Sequence, residues 1–448
     1  MSGVGNLVAR DKFRKKLSDR SVVVGVIGLG YVGLPLAHAF YLAGIKVVGF
    51  DIDPSKVEKL AKGESYIKHF RSETIAAMNA AGLFSATTDY ADLDKVDAVL
   101  ICVPTPLNAT REPDLDFVIE TTKSIKPYLR PGMLVVLEST TYPGTTAEVV
   151  QPILEESGLK ATSDFMLAFS PEREDPGNPI QTNAVPKVVG GSDAESGELA
   201  SAMYRLAFAK VHTVSDTQTA EAVKITENVF RAVNIALINE LKLAYSRMGI
   251  DVWEVIEAAK TKPYGFMPFY PGPGLGGHCI PIDPFYLSWR ARAFEFDTRF
   301  IELAGEINRD MPRVVVQVLS DALSMRFSRA LNGARILVLG VAYKKNIDDT
   351  RESPALHIMD LLRARGAKTD YFDPFCPEIP PTREHASLRG IKSVTFDRKT
   401  VESYDAVLIV TDHDSVDYQA LTSWSKLVVD TRNACKNIVD GCEKIVRA

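Results

Sequence analysis

Residues 22–33 read VVVGVIGLGYVG. An apolar run without polar alternation suits a strand buried on both faces of a parallel sheet. It breaks at G-x-G-x-x-G, that is Gly28, Gly30 and Gly33. In this spacing the first glycine permits a tight turn and the second lets backbone approach a pyrophosphate. The third lets the following helix pack on the strand. Residues 34–43 then read as helix and 46–50 as a second strand, closing at Asp51, 18 residues past Gly33. A carboxylate there suits a ribose 2′-hydroxyl. Strand, turn, helix, strand and acid together predict a dinucleotide site, with Gly28, Gly30, Tyr31, Val32, Gly33 and Asp51 as its residues; the bland alternative is a merely tight βαβ turn. The acid favours NAD over NADP, whose 2′-phosphate it would repel, although Lys56 nearby works against that preference.

Upstream, Arg10, Lys12, Arg14, Lys15, Lys16 and Arg20 precede an uncharged run over 21–45 containing Ala37-His38-Ala39. The pattern imitates a leader peptide. Five glycines and Pro35 inside the run argue against one, so residues 6–19 are expected to form an amphipathic surface helix. At 448 residues the chain is too long for one core, and about three domains are expected. The net charge of −5 disfavours bulk binding to nucleic acid or an anionic membrane and leaves room only for a local basic pocket. Five cysteines, at 102, 279, 376, 435 and 442, make no disulfide framework. A reducing, cytoplasmic setting is expected.

Downstream, strands are expected at 98–103, 134–137 and 166–170, each ending in polar residues, where open parallel sheets bind ligands. Residues 187–190 would add an edge strand, closing the domain near 213. From 217 to 248 no Gly or Pro occurs and apolar residues recur at three and four, which predicts one long helix. Another begins at Asp251, with further helical segments at 284–296 and 300–328. Strands return at 334–343, 369–372, 405–410 and 426–430, with a helix at 353–365. There Gly340 stands alone, so a mononucleotide fits better than a second dinucleotide. The fold class is α/β: two Rossmann-like doubly wound domains joined by a central all-helical one with one long helix. The expected boundaries are 1–214, 215–330 and 331–448.

Residues 271–284 read PGPGLGGHCIPIDP. Cys279 taken alone is a small buried hydrophobe, the usual fate of a free thiol. Yet Gly274, Gly276 and Gly277 let a large ligand lie against backbone, and Asp283 would face the thiol if a helix begins just after it. No metal is expected, since no second Cys/His pair has ligand spacing. Lys224 and Asn228 sit i, i+4 on the long helix, so they share a face; an ordinary solvated lysine is the alternative. Glu172, after Ser-Pro at a strand end, also reads as a plain loop carboxylate.

GLGYVG (28–33), VPTP (103–106), STTYPGT (139–145), SPERE (170–174), AVKITEN (222–228), GGHCIPIDP (276–284) and YKKNIDDTRESPA (343–355) occur in one order along the chain. Together they resemble the UDP-glucose/GDP-mannose dehydrogenase family of nucleotide-sugar dehydrogenases. The resemblance implies NAD-dependent, four-electron oxidation of a sugar C6 alcohol to a carboxylate, and a homodimer formed through the central helix. It implies Cys279 as nucleophile, Lys224 and Asn228 as oxyanion donors, Asp283 in proton transfer, Glu172 as general base and Thr140 as positioner of water. For the cofactor it adds Lys56, Thr105, Thr140 and Arg351. For the UDP-sugar it adds Glu172, Arg173, Lys224, Tyr270, Gly274, Gly276, Tyr343 and Lys344. His278, Pro281 and Ile282 resemble the UDP-N-acetylglucosamine enzymes, with UDP-glucose or another UDP-N-acetylhexosamine as the alternative substrate. The chain departs from the UDP-glucose pattern between Lys260 and Pro271, so no sugar-contacting Arg is assigned there. Outside this resemblance, a two-electron dehydrogenase of the β-hydroxyacid type would leave Cys279 a bystander, and an idle NAD-binding regulator would leave the whole set unused.

Overall fold

The computed structural model describes residues 2–67, 70–108, 112–173, 182–277, 280–382 and 384–448, the side chains of 2–8 excepted. The chain divides into two compact units, residues 1–227 with 285–296, and residues 228–284 with 297–448.

The first unit is built on eight strands: β1 (Val23–Ile27), β2 (Lys46–Phe50), β3 (Phe84–Thr87), β4 (Ala98–Ile101), β5 (Leu134–Leu137), β6 (Met166–Phe169), β7 (Lys187–Gly191) and β8 (Val211–Val214). Their order is β3-β2-β1-β4-β5-β6-β7-β8, parallel except for β6 against β7. The order reverses at β1, which pairs with both β2 and β4, leaving a crevice at the strand ends there. Alternation divides each strand between two cores. Ala98 and Leu100 join one apolar cluster, Val99 and Ile101 the other. That two-sided burial is why the strands read as continuous apolar runs.

One expectation is corrected here. Residues 187–191 are not an edge, because β8 pairs along them; the run VHTV is too short and too exposed to announce itself. The first helix, Ser2–Ser18, covers the expected amphipathic stretch and lays one face on the core. Phe13 and Leu17 enter the core, and Arg10, 6% exposed, pairs with Asp193 and Glu195 at 3.4 and 2.5 Å. The two acidic partners of Arg10 lie 183 and 185 residues away in the sequence.

The long helix runs Thr217–Arg247, and Asp251 caps the next, Val252–Ala259, by accepting from Trp253 N–H at 3.0 Å. In the second unit β9 (Arg335–Leu339), β10 (Lys368–Phe372), β11 (Ala406–Ile409), β12 (Val428–Asp430) and β13 (Ile445–Arg447) form a parallel sheet in the order β10-β9-β11-β12-β13. The helix Arg299–Phe327 sends Val315, Val316, Leu319 and Leu323 into the core on one face of that sheet. No helix among the described residues is long and apolar enough to cross a membrane.

Candidate active site

In the first unit the glycine turn has the geometry its spacing predicts. Gly28 has φ +90°, and a Cβ at Gly33 would lie 1.9 Å from Gly28 O, so neither position admits a side chain. A Cβ at Gly30 would meet nothing within 4 Å, which leaves room for a ligand to approach the backbone. The helix Gly33–Leu42 begins without a side-chain cap, its N-terminus open to an anion. Asp51, at the end of β2, accepts from the N–H groups of Leu29 and Asp53, both at 3.0 Å. Lys56 Nζ stands 3.1 Å from Asp51, so this lysine is paired with the carboxylate. Tyr66 donates to Leu29 O and braces the turn from outside; its lone position in the sequence carries no signal. Glycine cradle, open helix end and buried acid fit a dinucleotide.

At the ends of β4 and β5, Thr105 Oγ1 donates to Thr140 O at 2.6 Å and Ser139 Oγ to Val103 O at 2.7 Å, which holds these two loops together. Thr140 is half-buried. Its neighbour Thr141 is buried with no partner for its hydroxyl among the described residues. Sequence reasoning passed over Thr141 because two adjacent threonines look alike until one is buried. Tyr286 donates to Thr105 O and, at 3.1 Å, to Pro106 O.

Glu172 follows β6 and is buried, not a plain loop carboxylate. Its Oε1 accepts from Arg173 N–H at 2.7 Å, and its Oε2 lies 3.1 Å from Lys187 Nζ. Lys187 also meets Glu138 Oε2 at 2.5 Å, and Tyr204 donates to Glu138 Oε1. Arg173, expected at the substrate, is engaged by Glu227 at 2.5 Å and by Pro186 O at 2.7 Å. On the long helix Lys224 is buried, and its ammonium has no partner among the described residues. Glu221, one turn earlier, accepts from Gly144 N–H at 2.5 Å, Thr146 N–H at 2.8 Å and Thr146 Oγ1 at 2.7 Å.

The second unit brings Asn228 and Asp283 together: Asn228 Nδ2 donates to Asp283 Oδ2 at 2.6 Å, and both are buried. Asp283 is the first residue of the helix Asp283–Arg292, where a carboxylate is favoured by the exposed N–H groups. The glycine-rich run packs against backbone and rings. Asn239 accepts from Gly272 N–H at 3.0 Å, and Gly277 N–H donates to Arg351 O at 3.1 Å. A Cβ at Gly274 would come 3.2 Å from Pro354 Cβ, and one at Gly276 2.6 Å from Tyr343 Cβ. His278 and Cys279 lie outside the described residues.

Tyr343 and Lys344 are half-buried. The Arg351 guanidinium is forked onto Asp349, its Nη2 at 2.6 Å, and Tyr270 donates to Glu257 Oε1 at 3.0 Å while stacking on Trp253. Both residues are thus engaged by their own unit. Among the described residues no group of three or more His, Cys, Asp or Glu could hold a metal ion.

Comparison with known proteins matches three consecutive segments to one family, UDP-glucose/GDP-mannose dehydrogenase: its NAD binding domain over 22–208, its central domain over 218–310 and its UDP binding domain over 337–437. The chain is 37% identical over 399 residues to the UDP-N-acetyl-D-glucosamine 6-dehydrogenase of Pseudomonas aeruginosa, covering 88% of this chain and 91% of that protein. It is 34% identical over 421 residues to the UDP-N-acetyl-D-mannosamine dehydrogenase of Pyrococcus horikoshii, covering 92% and 96%. The solved structure of the UDP-D-ManNAc dehydrogenase from Pyrococcus horikoshii superposes with a TM-score of 0.84 at 34% identity, over 95% of this chain and 98% of that one.

Proposed function

We propose, because the chain belongs to the UDP-glucose/GDP-mannose dehydrogenase family, that it oxidises the C6 alcohol of UDP-N-acetylglucosamine to the carboxylate, releasing four electrons. That it is a UDP-sugar dehydrogenase with an NAD-binding domain is the premise; the sugar, the residue roles and the assembly are our reading. In it residues 1–214 bind NAD, 215–330 carry Lys224 and the Cys279 loop, and 331–448 hold the UDP-sugar. The glycine cradle, Asp51, Lys56, Thr105 and Arg351 hold the cofactor, which when bound accepts hydride, twice per sugar.

Aldehydes do not release hydride directly; the carbon must first gain an oxygen or sulfur substituent. Cys279 supplies it as thiolate, giving a thiohemiacetal and then a thioester that water hydrolyses. Each adduct develops a negative oxygen, which Lys224 and Asn228 stabilise; one such donor is worth about 3 kcal/mol. Asp283 handles protons near the thiol, Glu172 is general base and Thr140 holds the reacting water. Arg173, Tyr270, Gly274, Gly276, Tyr343 and Lys344 contact the UDP-sugar. The observation that carries this reading is the Asn228–Asp283 hydrogen bond at 2.6 Å, which seats a buried carboxylate at a helix start four residues past Cys279. A homodimer in the cytoplasm completes the proposal, since a thiolate nucleophile suits a reducing compartment.

The second reading, UDP-N-acetylmannosamine as substrate, is favoured by the similarity to the Pyrococcus horikoshii enzyme. Incubating the enzyme with NAD and a panel of UDP-sugars, following reduced cofactor and product mass, separates the two. UDP-N-acetylglucosamine is expected to turn over fastest, with two reduced cofactors per sugar; a ratio of one sinks the four-electron reading. Cys279→Ser is expected to lose acid formation by several orders of magnitude.

A further inference from the structure

Two buried carboxylates share one buried ammonium in the first unit. Glu138, Glu172 and Lys187 are 1%, 8% and 2% exposed. Lys187 Nζ stands 2.5 Å from Glu138 Oε2 and 3.1 Å from Glu172 Oε2. Isolated charges are not left in such a place, and an ion pair there needs its remaining lone pairs and protons matched. Glu138 is matched on both oxygens, by Lys187 and by the Tyr204 hydroxyl, as an acceptor-only, ionised carboxylate requires. Glu172 receives Lys187 on one oxygen and the Arg173 N–H, at 2.7 Å, on the other, which fixes the plane of its carboxylate. The ammonium lies over the Tyr204 and Phe208 rings, 5.3 and 5.5 Å from their centroids.

We propose that Lys187, held in place by Glu138 and Tyr204, is a positioning residue that orients the Glu172 carboxylate for proton transfer. The proposal rests on the reading of Glu172 as general base. Burial opposes the Lys187 ammonium, yet the charges of Glu138 and Glu172 outweigh it and hold its pKa above the ordinary lysine value. It therefore stays charged throughout the working range. Burial pushes the Glu138 carboxyl above its ordinary value, outweighing the pull of the Lys187 charge. Cys102, whose thiol burial holds well above its ordinary value, remains neutral beside them. The Arg173 guanidinium is committed to Glu227 and Pro186 O. An ammonium thus stands between the Glu172 carboxylate and a second buried carboxylate.

The test is the pH dependence of initial rate in Lys187→Met, Lys187→Arg, Glu138→Gln and Glu172→Gln, measured on the full-length enzyme with NAD and its preferred UDP-sugar. Methionine keeps the stem packing on the two rings but removes the charge, so the acid limb moves up by roughly one pH unit or more. Arginine keeps the charge and retains the wild-type limb. Glu138→Gln removes the opposing carboxylate, so the limb moves the other way, by less. Opposite displacements from the two neutralising variants are a result that a packing role does not produce. Should Lys187→Met fail to fold, Glu138→Gln and Lys187→Arg carry the test. Unmoved limbs in the variants that fold, with Glu172→Gln inactive, overturn the proposal and leave Glu172 as base; full activity in Glu172→Gln overturns both.

Discussion

Glu221 is the buried acid of the first turns of the long helix, three residues before Lys224. Burial pushes its carboxyl up to about 7, against the pull of the Thr146 hydroxyl and of the Gly144 and Thr146 N–H groups. The folded chain therefore holds this proton more tightly than the unfolded one. Stability from this source is fully present below the ordinary glutamate value of 4.5 and declines as pH rises from there to about 7. Glu221→Gln has no such dependence. The Tm difference between the two proteins should consequently vary between about pH 5 and about pH 7 and be constant above, which thermal melts across pH will check. Lys187 marks where the sequence stops being legible at this scale. A lone lysine opening a short apolar strand looks like any strand-end charge, and its partners lie 49 and 15 residues away. Glu172 and Asn228 were legible through their motifs, but their engagement with Lys187 and Asp283 was not.

At the scale of elements the turn between β1 and its helix offers a paired test. Gly33→Ala places a Cβ 1.9 Å from Gly28 O, a backbone atom that cannot swing away. It should cost more than the ~1–3 kcal/mol of ordinary overpacking and lower Tm. Gly30→Ala meets nothing within 4 Å, so its Tm should match the wild type while NAD affinity falls, because the lost space is the cofactor's. Melts and NAD titrations separate the two; equal affinity in Gly30→Ala would place the pyrophosphate elsewhere. These elements were readable because two-sided burial writes itself as an apolar run and a glycine turn as fixed spacing. β3 and β8 went unread: FSAT and VHTV are four-residue strands at the two edges of the sheet, partly exposed, with no run to detect. The helix over 6–19 was legible, but the pairing of Arg10 was not, because its partners are remote in sequence.

At the scale of the molecule, the proposed dimer has a candidate face in the second unit. Phe230 and Leu237, seven residues apart and so on one side of the long helix, are exposed, as are Phe300 and Leu303 on the helix Arg299–Phe327. Large apolar side chains left in water on neighbouring turns call for a partner surface. The wild type is expected to sediment as a dimer, and Leu237→Glu or Phe300→Glu to weaken association by roughly tenfold or more; monomers at all concentrations of the wild type would discard the proposal. The glycine-rich run has a different consequence. Gly276 is flush with Tyr343, and Gly277 N–H is tied to Arg351 O at 3.1 Å, so 274–277 and 343–354 are moulded to each other within one unit. Grafting either stretch alone from a relative would set foreign contours against a surface shaped for glycine. A chimera that is to inherit another enzyme's appetite must receive both stretches as one cassette.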